Sequence, residues 1–283
     1  MTSANSDERA FWNADPGETW VARQDILDEL HGRVLDLVLD AAGLSPGDRV
    51  LDIGPGAGAT MVAAARAVGP AGRVLGLDIS EPMSARANAW LAQEGLSQAE
   101  VRVLDVQTDT AGETGFDVAL SRFGVMFFDD PVAAFTRIRG LLRPGGRLAF
   151  AAWAPAEHNP WFGEALEAAV ARLGRPPAGD PDAPGPLAFR DPARVTAILD
   201  AAGFTAVTAT PTDTHLPVAA GLDAAVALAR HIGPGARVMR LMQGTEADLE
   251  AILADIRTRF AAYDTPQGLQ IPARVNLVTA TAP

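Results

Sequence analysis

Cysteine and lysine are both missing from the 283 residues. Without cysteine there are no disulfides, no thiolate metal ligands and no cysteine nucleophile. Without lysine there is no internal Schiff base for pyridoxal phosphate and no P-loop lysine, and all 23 basic residues are arginines. No apolar run reaches the roughly 18 residues that suggest a membrane span. The leading MTSANSDERAF has neither the basic nor the apolar region of a secretory signal, so a cytoplasmic location is expected and no membrane partner. Nor is there a surplus of positive charge. The formal net charge of −12 is spread along the chain and opposes the attraction to phosphate backbones that nucleic-acid binding needs. No metal site is expected.

Apolar residues, by contrast, are plentiful, at 48% of the chain, enough for a sizeable core. DILDELHGRVLDLVLDAAGL, residues 25–44, sets Ile26, Leu30, Val34, Leu37, Val38 and Ala41 on one helical face and stops at Gly43. RVLDIG follows as a short apolar run suited to a strand buried on both faces. From there the pattern alternates. An alanine-rich helix over 60–68 precedes the strand RVLGLD, residues 73–78, and a helix capped by Ser80 runs to about Glu94. VRVLD (101–105) and FDVALS (116–121) read as strands, and a helix opened by Asp130 and Pro131 precedes the strand RLAFAAW. Five apolar strands separated by helices predict a parallel, doubly wound α/β sheet. Beyond Trp153 the rhythm breaks. Residues 159–173 look helical, the five-proline stretch 175–188 is irregular, a helix over 191–202 leads to a strand over 204–218, and helices near 221–232 and 245–262 precede the terminal strand ARVNLVTAT.

The turn Gly54-Pro55-Gly56-Ala57-Gly58-Ala59 fits the G-x-G-x-x-G/A pattern of dinucleotide binding, which alone is weak. Three aspartates change its meaning. Asp52 sits inside the strand two positions before the first glycine, Asp78 ends the second strand, and Asp105 ends the third. Asp78 can accept from ribose hydroxyls in either ligand class. An acid at Asp52 suits a cofactor that carries positive charge and no phosphate. An NAD(P)-dependent oxidoreductase is therefore the second reading, and a cofactor-binding protein without turnover the third.

VLDIGPGAG, GLDIS, LDVQT, FDVALSRFGVMFF and LLRPGGRLAF, in that order over residues 48–153, resemble the motif series of class I, Rossmann-like S-adenosylmethionine-dependent methyltransferases, in the broad ubiquinone/menaquinone-type group of small-molecule enzymes. The resemblance implies a mostly parallel seven-stranded sheet with helices on both faces, an antiparallel last strand and helical insertions forming a lid. It divides the chain into a leader that caps the cofactor (1–45), a cofactor-binding core (46–153) and a remainder of the sheet (154–283) with acceptor-site insertions at 154–188 and 219–265. By the same resemblance Gly54, Gly56 and Gly58 admit the cofactor to the backbone, Asp52 lies near its ammonium, Asp78 holds the ribose and Ile79 packs on the adenine. Asp105 reads the adenine amino group, the Val106 N–H a ring nitrogen, and the Ser121 carbonyl accepts from the ammonium. Pro55 has no N–H to offer there.

Methyl transfer is an in-line displacement at a carbon already activated, so positioning supplies much of the catalysis and a general base is optional. The base candidates are His158, beyond the fifth strand, and His231, near the end of a helix; His31 and His215 read as structural. Trp12 and Trp20 belong to the leader, which closes over the cofactor in similar enzymes, with Arg23 and Gln24 toward its carboxylate. Phe123 and Phe127 follow the fourth strand as acceptor-pocket walls, with Trp12. The lid's apolar composition favours a small hydrophobic or aromatic acceptor. The lack of cysteine excludes the thiolate-dependent arsenic-methylating branch, and the lack of an N-P-P-Y or D-P-P-Y stretch argues against adenine in nucleic acid.

Overall fold

A computed structural model describes residues 5–283. Four helices lead: α1 (Ser6–Trp12), α2 (Asp15–Ala22), α3 (Gln24–Leu30) and α4 (Gly32–Ala42). The single helix expected over 25–44 is broken at His31, whose φ and ψ of −98° and 7° leave the helical region before Gly32 restarts the turn. The break lets two short apolar faces point in different directions. Leu27 and Leu30 are buried on one helix, Val34 and Val38 on the next.

The core then alternates β1 (Arg49–Ile53), α5 (Ala59–Val68), β2 (Arg73–Asp78), α6 (Glu81–Gln93), β3 (Ala99–Val103), β4 (Phe116–Arg122), α7 (Pro131–Leu141) and β5 (Leu142–Trp153). Helices α8 (Pro160–Leu173) and α9 (Pro192–Ala201) lead to β6 (Thr205–Val218), and α10 (Gly221–Ala229), α11 (Pro234–Leu241) and α12 (Glu246–Phe260) to β7 (Asp264–Thr265) and β8 (Gly268–Thr281). The sheet runs β3-β2-β1-β4-β5-β8-β6, with the two-residue β7 paired to β8 as an eighth strand. The first five are parallel, and β8 is antiparallel to both its neighbours. Strand order reverses between β1 and β4, and the carboxyl ends there open the crevice where ligands of open α/β sheets bind.

Local chemistry places most boundaries. Ser80 and Asp130 cap α6 and α7 by accepting the backbone N–H of Met83 and Ala133. Thr245 and Asp248 form a reciprocal capping box at the start of α12. Three further expectations are corrected. Strand β3 ends at Val103, so Asp105 lies in the turn beyond it, where its carbonyl accepts from Thr108 and Asp109. The segment after Ile232 holds a helix, α11, with Pro234 in its first turn, where a missing N–H costs nothing. Strand β8 starts five residues before Ala273 and contains Pro272; β5 pairs with it only from Val275 onward, so the proline interrupts no ladder on that side. No helix among the described residues is long and apolar enough to cross a membrane.

Candidate cofactor and acceptor site

The turn after β1 is built by close backbone approach. Gly54 has φ 65°, and a Cβ there would stand 2.7 Å from the Cα of Gly124, in the loop after β4. Only glycine meets both conditions. Gly56 sends its N–H to Asp78 Oδ2 at 2.9 Å, and Gly58 lies against Ala87 of α6.

The three aspartates are all buried. Asp52 is fully enclosed, and neither of its carboxylate oxygens has a hydrogen-bond partner among the described residues. Burial pushes its carboxyl up to about 8, with the Arg122 guanidinium and the nearby Thr60 hydroxyl opposing the rise and Asp78 adding to it. Asp78 accepts from Gly56 and, at 2.9 Å, from Ser80; burial raises its pKa, and these N–H groups pull it back. Asp105 accepts two bonds from the Asn5 amide and one from the Gln107 N–H. Ile79 gives its carbonyl to Asn13 Nδ2 at 2.8 Å, so the α1–α2 junction lies on the end of β2. Trp12 reinforces that docking, its carbonyl accepting from Ser80 Oγ at 2.8 Å. Val106 is buried beside Asp105. Ser121, at the end of β4, donates from Oγ to the Ile53 carbonyl at 2.6 Å and accepts from Gly124, tying β1 to the loop after β4.

Aromatic rings fill the space beside this turn in one connected series. Phe127 meets Trp12 edge to face at 5.3 Å, Trp12 meets Trp20 at 5.9 Å, and Trp20 stacks on His31 at 6.1 Å. His31 then meets Phe123 at 5.4 Å, and Phe123 stacks on Trp153 at 4.2 Å. Trp153 is followed by Phe162 of α8. Phe123 carries φ 71°, a left-handed backbone that costs a bulky residue energy and concentrates at functional sites. Trp12, Trp20, Phe123 and Phe127 therefore come together with three rings that the sequence did not single out, His31, Trp153 and Phe162. Burial, and secondarily the Arg122 charge, lowers His31 to about 3, so its imidazole is neutral throughout the physiological range.

The histidine candidates lie elsewhere. His158 is exposed on the short 3-10 turn before α8, near Asp213 on β6. His231, beyond α10, has its Nε2 3.0 Å from Arg23 Nη2, and burial together with Arg23 and Arg230 lowers its pKa. Arg23 thus joins the α2–α3 junction to the segment after α10, whereas its neighbour Gln24 is buried and donates to the Ala57 carbonyl inside the glycine turn at 3.3 Å.

The chain resembles known proteins in sequence and in fold. Residues 50–146 match the family described as "Methyltransferase domain". The matched segment holds the glycine turn and Asp52, Asp78 and Asp105. Around this domain the chain is 34% identical over 141 residues to the aklanonic acid methyltransferase DauC of Streptomyces sp. (strain C5), a match covering 47% of this chain and 64% of that one. It is 39% identical over 111 residues to the nocamycin O-methyltransferase of Saccharothrix syringae, covering 39% of this chain and 40% of that one. The chain thus spans less than two thirds of the length of these relatives. The fold of the methyltransferase domain and its surroundings is that of the YcgJ protein from Bacillus subtilis, with a TM-score of 0.58 at 18% identity, covering 89% of this chain and 98% of that one.

Proposed function

We propose that the chain transfers a methyl group from S-adenosylmethionine to a small-molecule acceptor and releases S-adenosylhomocysteine. The observation that carries this reading is Asp52. A carboxylate enclosed at the carboxyl end of β1, with neither oxygen bonded, asks for a cationic ligand group beside the glycine turn. A dinucleotide would bring a pyrophosphate and no cationic group to that turn, leaving Asp52 unanswered, so the oxidoreductase reading is disfavoured. The sulfonium cofactor fits. Gly54, Gly56 and Gly58 keep the turn open, Asp52 takes the ammonium, Asp78 the ribose with Ile79 beside the adenine, and Asp105 and Val106 read the adenine edge.

When bound, the cofactor supplies a methyl carbon whose bond to sulfur breaks as the bond to the acceptor forms. The protein's part is to hold the acceptor in line and keep water out. Phe123, Phe127 and Trp12 supply apolar walls for this, and Trp153 and His31 extend them. A flat, apolar or aromatic acceptor suits such walls. An oxygen acceptor is favoured because one similar protein is named an O-methyltransferase and another is named for an acid. His231 and His158 remain the candidates for a base. The absence of a spanning helix among the described residues is compatible with work in the cytoplasm.

Calorimetric titration with S-adenosylmethionine, S-adenosylhomocysteine and NADH, repeated on Asp78→Ala, tests the reading, followed by product detection against aromatic hydroxyl and carboxyl acceptors. Binding of both adenosyl ligands, weakened at least about tenfold in the variant through loss of charge-assisted hydrogen bonds, supports it. Binding of NADH alone would sink it. Cofactor binding without product from any acceptor would favour the non-catalytic reading.

A further inference from the structure

Two buried groups of opposite formal charge stand near each other at the top of β1 and β4, and each has a polar atom without a hydrogen-bond partner among the described residues. In the parallel register Asp52 pairs with Leu120, so their side chains share one face of the sheet. Arg122 lies two residues further along β4, on that same face and about 7 Å nearer the carboxyl edge. Both oxygens of Asp52 and Nη1 of Arg122 lack a hydrogen-bond partner among the described residues. The other terminal nitrogen of Arg122 donates to Asp28 Oδ1 at 3.2 Å, and the arginine side chain is only 8% exposed. Asp28 belongs to α3, so the leader holds this guanidinium in place.

A buried arginine that uses one arm on a carboxylate and leaves the other arm empty is built for a second anion. The empty carboxylate beside it is built for a cation. One ligand group answers both at once, the ammonium and carboxylate of an α-amino acid. We propose that Arg122, positioned by Asp28, anchors the carboxylate of the cofactor's amino-acid tail while Asp52 receives its ammonium. This rests on the function proposed above. It moves the carboxylate contact from Arg23, which the structure engages with His231, to a residue at the end of β4. The planar fork of arginine suits a group that must hold two carboxylates in fixed directions, which the point charge of a lysine would not. It also gives the leader a way to sense the tail, because the carboxylate completes a network that begins on α3.

The test compares three ligands by calorimetry: S-adenosylhomocysteine, the same thioether lacking only its carboxylate, and 5′-methylthioadenosine, which lacks the whole amino-acid group. The wild-type protein is expected to prefer S-adenosylhomocysteine over the decarboxylated thioether by about tenfold to a hundredfold, the range of a hydrogen bond between charged partners. Arg122→Gln is expected to shrink that preference to about threefold or less while binding 5′-methylthioadenosine as the wild type does. Asp28→Asn, which leaves the arginine but frees it, is expected to fall between. A folded Arg122→Gln protein that keeps the full preference overturns the proposal. Should that variant fail to fold, Arg122→Lys decides, since it keeps the charge and loses the fork: a reduced preference supports the assignment and an unreduced one overturns it. If the wild-type protein binds none of the three, the methyltransferase reading itself fails, an outcome distinct from a misplaced arginine.

Discussion

The side-chain amide of Asn5 donates to both carboxylate oxygens of Asp105, at 3.0 and 3.1 Å, while its own oxygen accepts from the Asp129 N–H at 2.9 Å. The amide nitrogen therefore occupies the hydrogen-bonding position assigned above to the adenine amino group. An internal group that uses the same acceptor competes with the ligand, and the apparent affinity falls by the fraction of molecules held closed. Asn5→Ala is expected to tighten binding of S-adenosylhomocysteine about threefold to tenfold. Calorimetry on the variant checks this, and unchanged or weaker binding would show that Asn5 does not stand in the ligand's way.

Asp52 should release a proton when a cation binds beside it. Its folded pKa of about 8 lies above the unfolded value of 3.8, so the ligand-free protein holds this proton at neutral pH. The resulting contribution to stability is complete below about pH 4 and is lost as pH rises through about 8. An ammonium placed against Asp52 favours the carboxylate and expels the proton. Titrations with S-adenosylhomocysteine at pH 7 in buffers of different ionisation enthalpy are expected to show release of up to about one proton, absent in Asp52→Asn. A binding enthalpy independent of buffer contradicts the placement.

His31 works in the opposite direction. Its folded pKa of about 3 lies below the unfolded 6.5, so the unfolded chain takes up protons first as the solution is acidified. Stability is lost as pH falls from 6.5 toward 3. Asp52 titrates across part of the same range with the other sign, so the wild-type profile mixes the two. His31→Phe, which keeps a ring against Trp20, isolates the histidine: between pH 7 and pH 5 the variant should gain about 2 kcal/mol relative to wild type in denaturant unfolding. No relative gain would mean that His31 is protonated in the folded protein.

Gly124 and Gly54 meet back to back. A Cβ on Gly124 would stand 2.5 Å from the Ile53 carbonyl oxygen and 2.8 Å from the Gly54 Cα, both backbone atoms that cannot swing aside. Gly124→Ala should therefore cost about 1–3 kcal/mol of stability and weaken cofactor binding by displacing the glycine turn. Gly140→Ala, in α7 where a Cβ meets nothing within 4 Å, should instead stabilise by about 0.5–1 kcal/mol. Urea unfolding of the two variants separates a steric effect from a general intolerance of substitution.

The proposed cofactor half of the site was legible because its signals are local. Each of Asp52, Asp78 and Asp105 lies within two residues of the end of its strand, the glycine turn follows β1 directly, and β1, β2 and β4 are apolar runs with little competing interpretation. The proposed acceptor half was not, since its rings arrive from far apart. Trp20 and His31 come from the leader, Phe123 from the β4 loop, Trp153 from β5 and Phe162 from α8. His31 looked structural because helical periodicity continues through it, and only its backbone angles reveal the break. Arg122 carried a usable sign, a charged residue ending a buried strand, but its unsatisfied arm depends on the β1–β4 register and on a leader helix. Helix α11 was hidden by the two glycines and the proline at its start, which punctuate loops more often than they begin helices.

The place of β8 in the sheet bears on how the chain comes to be assembled. It lies between β5 and β6, although both precede it in the sequence. Until residues 268–281 have left the ribosome, the 14-residue β6 has no inner neighbour, and β5 exposes an edge. The parallel half, from β1 to β5, can form while synthesis continues, but the other half waits for the final ladder. A nascent chain paused before residue 268 thus presents two open strand edges at once, the condition under which a chaperone would have most to shield.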